Sequence, residues 1–259
     1  MEVAPILPKD WLRLLVAEAV GTFFLVFPGA GAPILDKVTG GSVGLLGIAI
    51  ANGLGLAIGI TATMNISGGH LNPAVTIALW AARKIKAGLA ILYIVAQLVG
   101  ALIAALLLKA IFPVVAAAAT HLGAPAISTQ IGAGQGMLLE LVMTFLLVMA
   151  VFLTAVDDRA PKVGGFGVGV IVMVDVLMGG PLTGAAMNPA RALGPALVSG
   201  FLTNQWVWWV GPILGGLLAA ALYTGVLANR TPAAPQPASS RSGSASGGGS
   251  GRPGGGKRR

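Results

Sequence analysis

The chain has 259 residues, of which 56% are hydrophobic and 9% are charged, and its mean hydropathy is +0.88. Ordinary soluble domains carry roughly 25% charged residues, so this composition excludes a typical soluble fold and favours a protein that crosses a membrane several times. The absence of cysteine excludes disulfides, thiol catalysis and thiolate metal sites, and two histidines are too few for a readable metal cluster. We expect no catalytic residues, no metal and no cofactor.

Apolar segments long enough to cross a bilayer recur along the chain, since a transmembrane helix needs about 20 residues. In chain order, the predicted spans are 11–33, 43–65, 87–109, 134–156, 164–181 and 205–228. Two further apolar segments, 72–82 and 188–199, are too short to cross alone and are interpreted as re-entrant half-helices. The predicted fold is an all-α membrane protein with six transmembrane helices and two half-helices.

The net charge of +8 is concentrated after the last apolar segment. Residues 229–259 contain six basic residues and no acid, in a Gly-, Ser-, Pro- and Ala-rich sequence that has too little apolar surface to form a core. We interpret this segment as a disordered, solvated cytoplasmic tail, with contact to anionic lipid headgroups as a weaker alternative. The remaining chain has a net charge of only +2, which argues against nucleic acid as a partner.

The basic residues outside this tail indicate the orientation in the membrane. Those that lie before or at the start of the first span, after the second or after the fourth are Lys9, Arg13, Arg83, Lys84, Lys86, Arg159 and Lys162. All of them fall on one side if each span crosses once, whereas the other side has Lys37, Lys109 and Arg191. By the positive-inside rule, both termini are expected in the cytoplasm. The expected location is the plasma membrane.

The two halves of the chain share a pattern of a glutamate, a threonine one helical turn later and an Asn-Pro-Ala triplet. The pattern is formed by Glu18, Thr22 and Asn72-Pro73-Ala74 in repeat one (about 11–109) and by Glu140, Thr144 and Asn188-Pro189-Ala190 in repeat two (about 134–228). With three spans in each half, the second repeat enters the membrane from the opposite face. This predicts an inverted 3+3 repeat with its functional site near the midplane.

Each Asn-Pro-Ala triplet predicts the start of a half-helix, because Asn is a preferred N-cap and Pro suits the first helical position. Small residues precede both triplets and allow an extended backbone. At membrane depth such a backbone is tolerated only where it is packed by protein or lines a cavity. The residues predicted to line a passage with their backbone carbonyls are Gly68, Gly69, His70, Gly184 and Ala186.

Two half-helix starts that meet near the midplane predict a barrier to cations, since each presents roughly half a positive charge. Asn72 and Asn188 are expected to cap their own helices with the side-chain carbonyl and to offer the amide to the passage. A water molecule held by both donors points its hydrogens away from them, which interrupts a proton-conducting chain of waters. Neutral molecules are therefore expected to pass, while protons are excluded.

The paired motifs Ser67-Gly-Gly-His-Leu-Asn-Pro-Ala-Val-Thr76 and Met187-Asn-Pro-Ala-Arg191 resemble the major intrinsic protein family of aquaporins and glycerol facilitators. The resemblance covers about residues 11–228 and implies an aquaporin-like channel domain at 1–228. It also implies a lipid bilayer as the surroundings and a homotetramer with one pore in each subunit.

The same resemblance assigns the outer constriction of the pore to Asn52, Val176, Ala185 and Arg191. The charge of Arg191 would add a second barrier to cations. Water-specific members usually have an aromatic residue and a histidine where this chain has Asn52 and Val176. The set therefore looks more like the plant tonoplast branch, whose members pass ammonia, urea, peroxide or glycerol in addition to water.

Acidic residues inside membrane spans are functional candidates, because an isolated charge there is costly. The resemblance implies that Glu18 and Glu140 accept hydrogen bonds from the re-entrant loops and hold them in place. Asp175 adjoins a predicted constriction residue, and we expect it either to be solvated or to pair with Arg191 or His121.

The predicted function is a passive channel for water and small neutral solutes, and the alternative is a facilitator of glycerol, urea or ammonia. Ala192 and the short loops weigh against glycerol, since glycerol facilitators usually have Asp after the motif arginine. Trp208 and Trp209 are either the aromatic pair found in the sixth span of water channels or, with Trp206, an interfacial belt. A secondary transporter would need titratable residues at the midplane, and an enzyme would need a nucleophile and a base.

Overall fold

The computed structural model describes residues 9–161 and 163–228. The α-helices in these ranges are α1 (Trp11–Val38), α2 (Gly44–Ser67), α3 (Pro73–Ala81), α4 (Ala87–Ile111), α5 (Val114–Ala119), α6 (Ala133–Val151), α7 (Phe166–Thr183), α8 (Pro189–Ser199) and α9 (Val207–Leu222). Short π-helical segments, Phe152–Val156 and Tyr223–Leu227, extend α6 and α9. Lys162 and the predicted tail at 229–259 lie outside the described residues, as do residues 1–8.

Six helices in the described ranges are long and apolar enough to cross a membrane, namely α1, α2, α4, α6, α7 and α9. This confirms the predicted fold, including its two short half-helices, α3 and α8. The first span is longer than predicted, because α1 continues through Pro28 and Pro33 to Val38. Prolines are tolerated inside membrane helices where neighbouring helices satisfy the freed backbone groups.

The two repeats exchange their half-helices. Within each repeat the first span packs against the second and third, as α1 does against α2 and α4, and α6 against α7 and α9. The half-helix α3, however, packs mainly against α9, and α8 packs mainly against α4. The third spans thus hold the half-helix of the opposite repeat, which joins the two halves into one bundle.

Two equivalent glycines allow the first and third spans of each repeat to approach closely. A side chain at Gly100 would collide with the carbonyl group of Ala19, and one at Gly215 would collide with that of Leu141. Small residues at such crossings permit the van der Waals contact that drives helix association in lipid. The repeat in sequence is therefore also a repeat in packing.

The connection between α4 and α6 contains the short helix α5, which the sequence analysis does not predict. It begins directly after Pro113 and is followed by a tight helical turn at His121–Gly123. This turn packs against both α1 and α8. The connection therefore reaches the start of the second half-helix, where it becomes part of the site described next.

Candidate functional site

Both half-helices begin at the asparagines, where the sequence predicts them. The Oδ1 atom of Asn72 accepts a hydrogen bond of 2.8 Å from the Ala74 amide, and Pro73 is the first residue of α3. The Oδ1 atom of Asn188 accepts bonds of 3.0 Å and 3.2 Å from the amides of Ala190 and Arg191. Each asparagine therefore caps its own helix with its carbonyl oxygen.

The amide groups of these asparagines link the two repeats. Asn72 Nδ2 donates to the Met187 carbonyl at 2.8 Å, and Asn188 Nδ2 donates to the Leu71 carbonyl at 2.9 Å. The sequence pattern predicts amides that face a passage and does not predict these bonds. Each amide uses one hydrogen for the opposite loop and keeps its second hydrogen, so both capped helix starts are fixed beside one another.

Glu18 is fully buried and holds the first re-entrant loop. Its carboxylate accepts hydrogen bonds from Ser67 Oγ at 2.6 Å, from the amides of His70 and Leu71 at 3.0 Å and 2.8 Å, and from Gln97 Nε2 at 2.7 Å. Four donors therefore satisfy a carboxylate that lies inside the protein, which is the condition for burying such a group at acceptable cost.

Glu140 has the equivalent position in repeat two. It accepts bonds from Thr183 Oγ1 at 2.7 Å and from the amides of Ala186 and Met187 at 3.0 Å and 2.7 Å. The loop-supporting contacts expected for both glutamates are thus present in the structure. Repeat two has no counterpart of the Gln97 bond within the described residues, so Glu140 has one donor fewer than Glu18.

The loops need these anchors, because their backbones adopt conformations that side chains disfavour. Leu71 and Met187, each directly before an asparagine, have φ angles of 53° and 50°, and Ala185 has a φ of 43°. Left-handed conformations of this kind cost free energy in residues other than glycine and persist where surrounding contacts enforce them. Here the glutamates bind the amides of Leu71 and Met187, and the asparagines bind their carbonyls.

The backbone carbonyls predicted to line a passage belong to Gly68, Gly69, His70, Gly184 and Ala186. None of these five oxygens accepts a hydrogen bond from the part of the chain that the structure describes. Buried carbonyls are almost always paired with protein or water. Gly69 and Ala186 are buried, so their unpaired oxygens favour a water-filled path beside each loop, whereas Gly68 is exposed.

Two cavities meet at the site. A cavity of about 330 Å³ opens at the end of the bundle where α1 and α7 end, and its walls include Thr120 and Gly184. A second, narrow cavity of about 10 Å³ lies between Asn72 and Asn188, which is room for roughly one water molecule. We call the first the far cavity, because it lies at the end of the bundle away from the start of α1, and the second the narrow cavity. Asn52 and Arg191 line both of them.

The four positions expected for the constriction lie at this junction. Val176 lines the far cavity, Ala185 lines the narrow cavity, and Asn52 and Arg191 border both. Arg191 is the only cationic side chain among the described residues that line either cavity. The structure thus brings Asn52 of repeat one together with three residues of repeat two.

Arg191 is 4% exposed and is held by two backbone carbonyls. Its Nη1 donates to the Gly123 carbonyl at 2.7 Å and its Nη2 donates to the Gly29 carbonyl at 3.2 Å, whereas Nε has no acceptor among the described residues. Gly123 belongs to the turn that follows α5, and a side chain there would collide with the Ala30 carbonyl. Neither glycine is predictable as a partner of Arg191, because nothing in the local sequence pattern links them to it.

A third cavity, of about 550 Å³, lies at the opposite end of the bundle, beside the connection between α6 and α7. Its walls include Asp157 and Asp158. Hydrogen bonds from the Arg159 side chain and backbone hold the pKa of Asp157 well below its ordinary value, so this carboxylate is ionised at neutral pH. The Arg159 side chain forms an ion pair with Asp157 and balances its charge, so Asp158 is the carboxylate beside this cavity that Arg159 leaves unpaired.

Asp175 is 1% exposed, so the expectation of a solvated side chain is wrong, and the alternative pairing is wrong too for the described residues. Neither of its carboxylate oxygens has a hydrogen-bond partner there. The guanidinium of Arg191 is bound to carbonyls instead, and the His121 ring stacks on Phe201 with 3.8 Å between centroids. Gly59 precedes Asp175 by the same number of residues as Asn72 precedes Asn188. Gly59 is therefore the equivalent position in repeat one, and it has no side chain.

Replacing Asp175 with leucine, which has a similar shape, should stabilise the protein. A buried carboxyl group without partners costs several kcal/mol, and about 1 kcal/mol shifts the unfolding midpoint of a chain of this size by roughly 2–4 °C. We expect a rise of at least about 5 °C in thermal unfolding followed by tryptophan fluorescence in detergent. Asp36→Leu is the matched control and should lower the midpoint, because Asp36 Oδ1 accepts from the amides of Val43 and Gly44. A lower midpoint for Asp175→Leu would contradict the prediction.

Four further residues hold the loops and were not identified from the sequence. Ser67 and Thr183 bind the two glutamates, and Tyr93 and Trp208 donate to the carbonyls of these same two residues at 2.9 Å and 3.1 Å. Both pairs are related by the repeat, so a full alignment of the two halves would have indicated them. Trp208 is fully buried and therefore does not belong to an interfacial belt, whereas Trp206 is exposed.

Comparisons with known proteins agree with this architecture. The model of the family described as "Major intrinsic protein" matches residues 7–223. Aquaporin TIP4-4 of Zea mays is 44% identical over 223 residues, covering 83% of this chain and 86% of the relative. Probable aquaporin TIP3-2 of Arabidopsis thaliana is 40% identical over 227 residues, covering 83% of each.

A similar solved structure is that of the aquaglyceroporin from Plasmodium falciparum. Its TM-score is 0.73 at 25% sequence identity, and the alignment covers 84% of this chain and 97% of that one. The family match extends over most of the chain, and the fold and both Asn-Pro-Ala turns agree with it. The chain is an integral membrane protein that belongs to the major intrinsic protein family.

Proposed function

We propose that the chain is a passive channel for water and small neutral solutes that excludes protons and other cations. The observation that carries the proposal is the narrow cavity between the two capped half-helix starts, which has room for about one water molecule. The sequence relatives are named aquaporins. Family membership thus supports a channel rather than an enzyme.

The exclusion of cations rests on fixed positive charge. The amino ends of α3 and α8 each contribute roughly half an elementary charge, and both lie beside the narrow cavity. Arg191 adds a full charge at its outer boundary. Because the surroundings have a low dielectric constant, a cation that loses its hydration shell there meets strong repulsion.

The exclusion of protons rests on this positive charge and also on the asparagine amides. Each amide keeps one hydrogen after its bond to the opposite loop, and a water molecule between Asn72 and Asn188 can accept from both. Its own hydrogens then point away from the pair, so it cannot relay a proton between its neighbours. The unpaired loop carbonyls accept hydrogen bonds from the waters on either side.

The range of solutes follows from the constriction. Asn52 and Val176 are smaller than the aromatic and histidine side chains of water-specific members, which favours additional passage of urea or ammonia. The alternative, a dedicated glycerol or urea facilitator, has less support. The Plasmodium structure is titled an aquaglyceroporin, but the relatives with higher identity are named aquaporins.

Val176→His should narrow the constriction. The imidazole ring is larger than the isopropyl group and adds a polar group to the wall of the far cavity. We expect urea and glycerol fluxes to fall by about tenfold, because an increase of about 1.4 kcal/mol in the free-energy barrier to their passage lowers the rate tenfold. Water flux should change by less than about threefold. Stopped-flow light scattering on proteoliposomes measures all three. Val174→His, at an exposed position of the same helix, is the control, and an unchanged urea-to-water ratio in Val176→His would reject the assignment.

The assembly and the orientation are further parts of the proposal. A homotetramer in a lipid bilayer follows from family membership, with residues 1–228 as the channel domain and 229–259 as a basic cytoplasmic tail. Both termini are proposed to face the cytoplasm, because the basic loops lie on the same side of the membrane as the termini.

The TIP-type relatives argue against the plasma membrane expected from the sequence, since that branch is the tonoplast one. Protease protection of tagged termini in sealed vesicles tests the orientation.

Purified protein in liposomes tests the function directly. An osmotic gradient drives water flux, and concentration gradients of glycerol, urea and ammonia are then applied in turn. A pH dye enclosed in the liposomes reports proton leak. Water flux well above that of empty liposomes, without proton leak, is the expected result. Saturable, ion-gradient-dependent uptake would instead indicate a secondary transporter, and glycerol flux equal to water flux would indicate the alternative facilitator.

A further inference from the structure

Gly29, in the middle of α1, contacts two residues of the constriction at once. Its carbonyl oxygen accepts a hydrogen bond from Asn52 Nδ2 at 3.3 Å and one from Arg191 Nη2 at 3.2 Å. A carbonyl oxygen has two lone pairs, so both bonds can form together. Gly29 therefore links the residues that border both the far cavity and the narrow cavity.

The orientation of the Asn52 amide follows from these contacts. Nδ2 also donates to the Ile48 carbonyl at 2.9 Å, so both amide hydrogens are used. A flipped amide would set Oδ1 against two carbonyl oxygens, which excludes that assignment. Oδ1 accepts no hydrogen bond from the described residues, and it is the polar atom of Asn52 that remains for a passing solute.

The absence of a side chain at Gly29 leaves room for this oxygen. A Cβ atom at Gly29 would lie 2.5 Å from Asn52 Oδ1 and 3.0 Å from Asn52 Cγ. Real Cβ atoms essentially never come so close, so the amide would have to move away from α1, toward the cavities that it lines. Gly31 differs, because a Cβ atom there would lie 3.1 Å from the end of the flexible Leu108 side chain.

We propose that Gly29 is a specificity-determining residue, which positions Asn52 and Arg191 so that the constriction offers a hydrogen-bond acceptor to small neutral solutes that carry N–H or O–H donors. The inference rests on the proposed channel function and names a residue and a solute class for it. Urea and ammonia, which carry several N–H donors, fit the Asn52 acceptor. Gly29 acts through Asn52 and Arg191 and is a positioning residue.

A double-mutant cycle of Gly29→Ala and Asn52→Ala tests this proposal. Water and urea permeabilities of proteoliposomes are measured for the wild type, both single variants and the double variant. In Gly29→Ala we expect the urea-to-water ratio to fall about fivefold or more, because the displaced amide obstructs the larger solute. In the Asn52→Ala background the same change should alter the ratio by less than about twofold, since the amide that it displaces is gone.

Gly31→Ala is the matched control on the same helix and should leave the ratio unchanged. Gel filtration and the thermal unfolding midpoint establish that each variant is folded, and the double variant keeps the test decisive if Gly29→Ala alone does not fold. Equal effects of Gly29→Ala with and without Asn52 would overturn the proposal, as would a single variant with the wild-type ratio. Absence of water flux in the wild type would instead refute the channel function, so the two failures are distinguishable.

Discussion

Replacement of Glu18 with leucine is expected to abolish water flux. The carboxylate accepts four hydrogen bonds, two of which come from the backbone amides of His70 and Leu71 in the first re-entrant loop. Each buried donor left without an acceptor costs about 1–3 kcal/mol. The left-handed backbone at Leu71 then lacks its anchor, so the narrow cavity beside Asn72 should not form. Stopped-flow permeability of proteoliposomes should fall to the level of empty liposomes.

Thr22→Val is the matched control for this substitution. Thr22 lies one turn along α1 and donates only to the Glu18 backbone carbonyl at 2.8 Å, within the same helix. Loss of the Thr22 hydroxyl should leave water flux within about twofold of the wild type, because its hydrogen bond lies within one helix and does not hold the loop. Glu140→Leu should act in the same direction as Glu18→Leu through the second loop. Full water flux in Glu18→Leu would show that the loop does not depend on the carboxylate.

Replacement of Arg191 with valine is expected to widen the solute range and to admit protons. The guanidinium supplies the only full positive charge among the described residues that line the far and narrow cavities, and Arg191 borders both of them. Removing a charge from a site of low dielectric lowers the barrier to a cation by more than about 1.4 kcal/mol, which is at least a tenfold effect. Urea and glycerol fluxes should rise, and an enclosed pH dye should report proton leak.

Lys109→Val provides the control for the loss of charge. Lys109 belongs to the same end of the bundle, but it is exposed and contacts the Val198 carbonyl at 3.4 Å, away from both cavities. Its removal should change neither solute flux nor proton leak. An Arg191→Val channel that remains as tight to protons and urea as the wild type would mean that the helix starts alone form the barrier.

The helices and the two half-helix starts were predictable, because apolar length and capping residues are local properties. The loop-supporting role of Glu18 and Glu140 came only from family resemblance, yet the structure shows the expected contacts. Gly29 and Gly123 were not predictable, since they act through backbone carbonyls that any residue possesses. Asp175 was assigned the wrong partners because the direction of a side chain from its helix does not reveal which groups its neighbours leave free.

The sequence by itself determined the number of spans, the inverted repeat and the positions of the two Asn-Pro-Ala turns. These features depend on hydrophobic length and on local helix-start chemistry, and both are written in consecutive residues. Only the tertiary structure decided how the asparagines bind the opposite loop and how Arg191 is held by carbonyls of Gly29 and Gly123. Such contacts join residues far apart in the chain, and they exist only once α1, α8 and the connection after α4 have packed together.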